Sequence, residues 1–84
     1  MNQRYIDTRE FAHPVPMEMA LEVIGSLDSS SYLYMHHTKK PIPLLDLAKS
    51  QGFKVFYQED GLKDWHILIT KNQSIDLFSL VKIV

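Results

Sequence analysis

Cysteine is absent from the 84 residues of this chain, and its absence removes a whole class of chemistry. The chain cannot carry a persulfide, offer a thiolate nucleophile or bind zinc through sulfur. Disulfides are excluded as well, so a reducing cytoplasm is the expected location. Glycine is scarce, with three residues in all, and no glycine-rich run exists to cradle a nucleotide phosphate. No apolar run approaches the roughly 18 residues that a membrane span needs. Met1-Asn2-Gln3-Arg4 lacks the apolar centre of an export signal, so no membrane partner is expected. Neither sign of charge is in excess. Nine Lys and Arg face ten Asp and Glu for a net charge of −1, which argues against nucleic acid, whose binders need a basic surface.

What is present is the mixture of a soluble globule, 45% hydrophobic against 23% charged. A chain this short buries only about 60–65% of its unfolded surface. One domain, residues 1–84, is therefore expected, with stability resting on efficient packing.

The stretch Ile6 to Pro16, I-D-T-R-E-F-A-H-P-V-P, organises the rest. Tyr5, Ile6 and Asp7 read as a short first strand, Thr8-Arg9-Glu10 as a polar bend, and Pro14 and Pro16 as the first turn of a helix, where a missing N–H costs little. Met17, Ala20, Leu21, Ile24 and Leu27 then recur on one helical face, and Asp28-Ser29-Ser30-Ser31 ends the pattern. Tyr32 to His36 alternate as a second strand. After His37-Thr38-Lys39-Lys40 a second proline pair, Pro41 and Pro43, opens a helix through Leu44, Leu45, Leu47 and Ala48. Gly52 closes it, with Phe53 placed for the contact of a glycine cap. Lys54–Gln58 and Trp65–Thr70 are third and fourth strands in a hairpin around Asp60-Gly61.

The order β-α-β-α-β-β predicts an α/β (α+β) two-layer sandwich, a mixed sheet with both helices on one face. The opposite face carries Tyr32, Tyr34, Phe56 and Leu68 by parity. The apolar tail, residues 72–84 with Ile75, Leu77, Phe78, Leu80, Val81, Ile83 and Val84, must dock. It is expected as a fifth strand, a short helix or a dimer contact, with the strand favoured, and covering the open face is the favoured role; self-association, a homodimer through face or tail, is the alternative.

Parallel strands one and two end at one sheet edge, where open α/β sheets bind ligands. That edge collects Asp7, Arg9, His13, His36, His37, Lys39 and Lys40. Two chemistries are open to it. Two helix N-termini with Arg9, Lys39 and Lys40 suit a small anion or acidic peptide. His13 with His36 or His37 suits a transition metal, although adjacent histidines on a strand point to opposite faces. His66 reads as structural or exposed, Asp46, Glu59 and Asp60 as solvated or turn residues, and Ser29, Ser30 and Ser31 as loop chemistry. No acid/base pair stands out, so no enzyme activity and no cofactor are expected.

Ile6, Asp7, Arg9, Phe11, Pro14 and Pro16 resemble, in register, the L-D-x-R-G-L-x-C-P-x-P signature of the small bacterial TusA/SirA-like sulfur-carrier proteins. That family shares the β-α-β-α-β-β order. Glu10 replaces its common glycine, and His13 stands where its persulfide cysteine would be, so sulfur transfer is not expected to carry over. K-K-P-I-P-L-L-D-L-A-K-S-Q-G-F and D-W-H-I-L-I-T-K are similar to an uncharacterised bacterial domain family related to those carriers. The resemblance covers residues 6–71 and implies the fold together with a small cytoplasmic domain of unknown role; the expected function is a binding or interaction module on that scaffold without sulfur transfer. Its expected site is Arg9, His13, His36, His37, Lys39 and Lys40, and its partner a protein or a small anion. The alternative is a metal-handling or redox-linked protein using His13 and His36 or His37.

Overall fold

The computed structural model describes residues 1–83, so the expectation for Val84 lies outside the described residues. Four strands, β1 (Asn2–Asp7), β2 (Ser31–His37), β3 (Lys54–Glu59) and β4 (Trp65–Thr70), and two helices, α1 (Val15–Gly25) and α2 (Ile42–Ser50), follow in the order β1-α1-β2-α2-β3-β4. The strands lie in the sheet order β1-β2-β4-β3. β1 pairs parallel with β2, and β4 pairs antiparallel with both β2 and β3. Each helix therefore connects two strands that run the same way. Both crossovers advance in the same direction across the sheet, so a shared right hand sets both helices on one face. The result is the expected two-layer α/β sandwich with a mixed sheet.

Period-two alternation sorts the interior into two cores. On the helix side, Leu33, Met35, Ile67 and Ile69 meet Ala20, Val23, Ile24, Leu27, Leu44, Leu45 and Ala48. On the other side, Tyr32, Tyr34 and Leu68 gather Phe56 with the tail residues Ile75, Leu77, Leu80 and Val81. Helix α1 departs from its expected face in one respect: Leu21 is exposed and Val23 is buried. The helix ends at Gly25, and Leu27 reaches the core from beyond it, its amide donating to the Ile24 carbonyl. Helix α2 closes as expected. Gly52 has φ +84°, its amide donates to the Lys49 carbonyl, and the Phe53 amide donates to the Ala48 carbonyl. That is a Schellman closure, with Phe53 packed on the core.

The tail covers the open face without becoming the expected fifth strand. It crosses the sheet and makes one 3-10 turn, Leu77–Leu80, whose start Asp76 caps by accepting from the Phe78 amide. A strand would have to pair along an outer edge, at β1 or β3. Crossing the face instead buries Leu77 against Tyr32, Tyr34 and Leu68, and apolar area removed from water is the larger gain. Polar ties hold the path. The Lys54 ammonium donates to the Gln73 and Ile75 carbonyls, the Gln73 side chain to the Gly52 carbonyl, and the Asn72 side chain to the Ser29 carbonyl. The Lys82 amide donates to the Tyr34 hydroxyl.

Candidate functional site

The bend after β1 and the bend after β2 meet beside the two helix starts. Parallel pairing continues one step past Asp7, where the Thr8 amide donates to the His36 carbonyl at 2.9 Å. This locks the β1–α1 connection against the end of β2. Between the connections lies a cavity of about 550 Å³, within the range of small-molecule sites. Met17, Met35 and Leu44 form its apolar floor, and Arg9, His13, His37, Lys39, Lys40 and Glu10 its polar wall. Five of the six expected site residues thus line one cavity. His36 does not.

The helix starts supply fewer donors than four each, because proline occupies the second position of both. The Val15 amide is taken by the Ala12 carbonyl and the Ile42 amide by the Lys40 carbonyl. Among the described residues, the first-turn amides of Met17 and Leu44 make no hydrogen bond. Both belong to residues that line the cavity. Each helix therefore keeps one free N–H at its positive end.

The cations differ in how free they are. Arg9 is held by Asp7, with Nε to Oδ1 at 2.9 Å and Nη2 to Oδ2 at 2.8 Å, and Nη1 lies 3.5 Å from Asp64 Oδ2. This fork holds the Asp7 carboxyl down at about 2, the Arg9 side-chain hydrogen bonds being the main cause. The Lys40 ammonium rests over the Tyr57 ring, 4.4 Å from its centroid. Lys39 has no such partner among the described residues. His37 is half-buried, its Nδ1 lying 3.0 Å from the Thr8 hydroxyl. Burial pushes its pKa down, hydrogen bonding to Thr8 partly offsets this, and the Lys39 charge adds to it. At neutral pH the cavity therefore holds neutral His37 beside cationic Lys39, a few charges around a largely apolar interior.

Of the two expected metal pairings, His13 with His36 or with His37, the cavity brings together His13 and His37, whereas the alternation of β2 carries His36 to the other face. His37 faces the helices, whereas His36 faces the tail side and stacks on His66, with ring centroids 4.4 Å apart. A second cleft, about 430 Å³, opens there, lined by Gln3, Tyr5, Tyr34, His36, His66 and Lys82. Sequence reasoning missed its chemistry. His66 is buried, its Nδ1 2.7 Å from the Tyr34 hydroxyl and its Nε2 2.9 Å from Asp60 Oδ2. The His66 contact holds the Asp60 carboxyl below the usual carboxylate range, with loop amides adding to it. The parity of His36 and His66 was a usable signal; their adjacency was not, because it depends on the β2–β4 register that pairs them.

A family model described as an uncharacterised conserved protein (DUF2249) matches residues 5–71. No curated protein and no solved structure matches significantly.

Proposed function

The chain belongs to this family of uncharacterised conserved proteins, and from that premise we propose that it is a small binding module for an organic anion with an apolar body. In this reading the scaffold is sulfur-carrier-like, as the strand–helix order and the Ile6–Pro16 motif support, and the carrier chemistry is lost. The absence of cysteine leaves no atom to bear transferable sulfur. The single observation that carries the proposal is the 550 Å³ cavity, whose largely apolar lining includes Lys39 and the two residues whose helix amides are free, Met17 and Leu44. A bare phosphate would leave the apolar floor unused, and Glu10 on the wall disfavours high ligand charge. A ligand with one carboxylate and an apolar body uses both parts. The carboxylate accepts from the free amides, and the body displaces water from Met17, Met35 and Leu44.

The test is amide NMR of the full chain titrated with octanoate, benzoate and inorganic phosphate. The proposal expects saturable shifts at Met17, Leu44 and Lys39 with the organic carboxylates and weaker ones with phosphate. Unmoved amides at all three positions would overturn it. Shifts produced only by phosphate would make the cavity an inorganic-anion site instead.

A further inference from the structure

The tail-side cleft carries a different chemistry, independent of the anion reading. Both of its histidines are oriented alike. The Nδ1 of His66 lies 2.7 Å from the Tyr34 hydroxyl, and the Nδ1 of His36 lies 3.4 Å from the Tyr5 hydroxyl. Each therefore turns its Nε2 toward the β3–β4 loop. That loop presents carboxylate oxygens of Asp60 and Asp64. Asp60 Oδ1 is occupied, accepting from the Leu62 amide at 2.8 Å and the Asp64 amide at 3.0 Å. Oδ2 is left facing His66 Nε2 at 2.9 Å. The loop itself is closed by the Asp60 amide donating to the Asp64 carbonyl. Ligand atoms of His36, His66 and Asp60 all lie within 4.8 Å of one another. One nitrogen is left open to a ligand. His36 Nε2 is buried and makes no hydrogen bond, although Asp64 Oδ2 is 3.4 Å away. Asp64 itself is shared with Arg9.

From this we propose that His36, His66 and Asp60 form a binding site for a first-row transition-metal dication of the zinc class. Two imidazoles and a carboxylate are the donor set that such ions take, usually with a further position left for solvent or substrate. The 430 Å³ cleft bordered by Tyr5, Tyr34 and Lys82 supplies that room. Both histidines bind through Nε2. The His66 ring proton then sits on Nδ1 and is accepted by the Tyr34 oxygen, which also accepts from the Lys82 amide. This is the outer support that metal-bound histidines ordinarily have. The tail, by holding Tyr34 through Lys82, becomes a positioning element for the ion.

The experiment is titration of untagged, metal-free full chain with Co²⁺, followed by its visible absorption, then displacement by Zn²⁺. One equivalent is expected, with zinc raising the unfolding temperature. His36→Gln should weaken binding about a hundredfold or more, and Tyr34→Phe about tenfold. His13→Ala and His37→Gln should leave it unchanged. Where a variant does not fold, histidine-ring ¹⁵N NMR of the wild type decides, since zinc must move the Nε2 signals of His36 and His66 and leave those of His13 and His37. Absence of one-equivalent binding, or zinc shifts confined to His13 and His37, would overturn the proposal. The anion reading would survive either result, because its readout lies at Met17 and Leu44.

Discussion

His36 and His37 are neighbours in the chain and belong to two different environments. His37 stands at the wall of the helix-side cavity, among Lys39, Lys40 and an apolar floor. His36 lies on the tail side, stacked on His66, with its Nε2 buried, without a hydrogen bond and 3.4 Å from Asp64 Oδ2. One peptide unit separates a neutral imidazole in a cationic pocket from an imidazole facing two carboxylates. The comparison teaches that the sheet, by alternating side chains, builds two sites from one strand end. The helices cover one face and leave their amides to the first site. The tail covers the other and leaves its hydrogen bonds to the second.

The sharpest way to break this division is to lift the tail. Leu77 is buried against Tyr32, Tyr34 and Leu68, and Leu77→Ala is expected to cost about 2–4 kcal/mol, read from urea unfolding. If the two faces are separate, the Met17 and Leu44 amide signals should hold their positions while those around His66 move. The charge reversal Lys39→Glu tests the other face. It should weaken octanoate binding about tenfold, or about 1.4 kcal/mol, with little change in stability, measured by the same NMR titration. Gly52 joins the two regions, since it closes α2 at φ +84° and accepts from the tail residue Gln73. Gly52→Ala places a side chain in left-handed backbone and should cost about 1 kcal/mol by urea unfolding.

The smallest effect is the dependence on pH, and the two faces should titrate in different windows. The folded His37 has a pKa below its ordinary 6.5. As pH falls past that value the unfolded chain takes up the proton first, so stability declines and then levels once the native imidazole is also protonated. His37→Gln should flatten that segment of a stability–pH curve. Asp60 is shifted below its ordinary 3.8, chiefly by His66. Its contribution is present above that value and is lost as pH falls through the folded pKa. Asp60→Asn should therefore remove only the acid limb. A single limb responding to both substitutions would mean that the faces are coupled.

Much of the fold was legible in the sequence because local rules agreed. The two P-x-P helix starts, the Gly52 stop and the alternation of β2 and β4 all point to elements that the structure contains. The tail was misread as a strand because its composition suits one. Asp76 capping a 3-10 turn is weak local chemistry that becomes decisive only against the Tyr32–Tyr34–Leu68 face. Leu21 was misplaced for a related reason, since a helical period marks an apolar stripe but not which flank meets the sheet. At the site, five residues flanking the two bends were found together because parallel strands end at one edge. His66, Asp60 and Asp64 were missed because each looks ordinary alone.

The sequence by itself determined that this chain offers no cysteine thiol, and it determined the succession of its elements. Composition and short-range periodicity are properties of the chain, readable before it folds. Only the tertiary structure decided which ring meets which. The β2–β4 register sets His36 opposite His66, the loop folded around Asp60 Oδ1 turns Oδ2 toward them, and the tail covers the face that holds Tyr34. Those placements follow from long-range pairing and from burial of a shared apolar face. Neither quantity belongs to any short stretch of the chain.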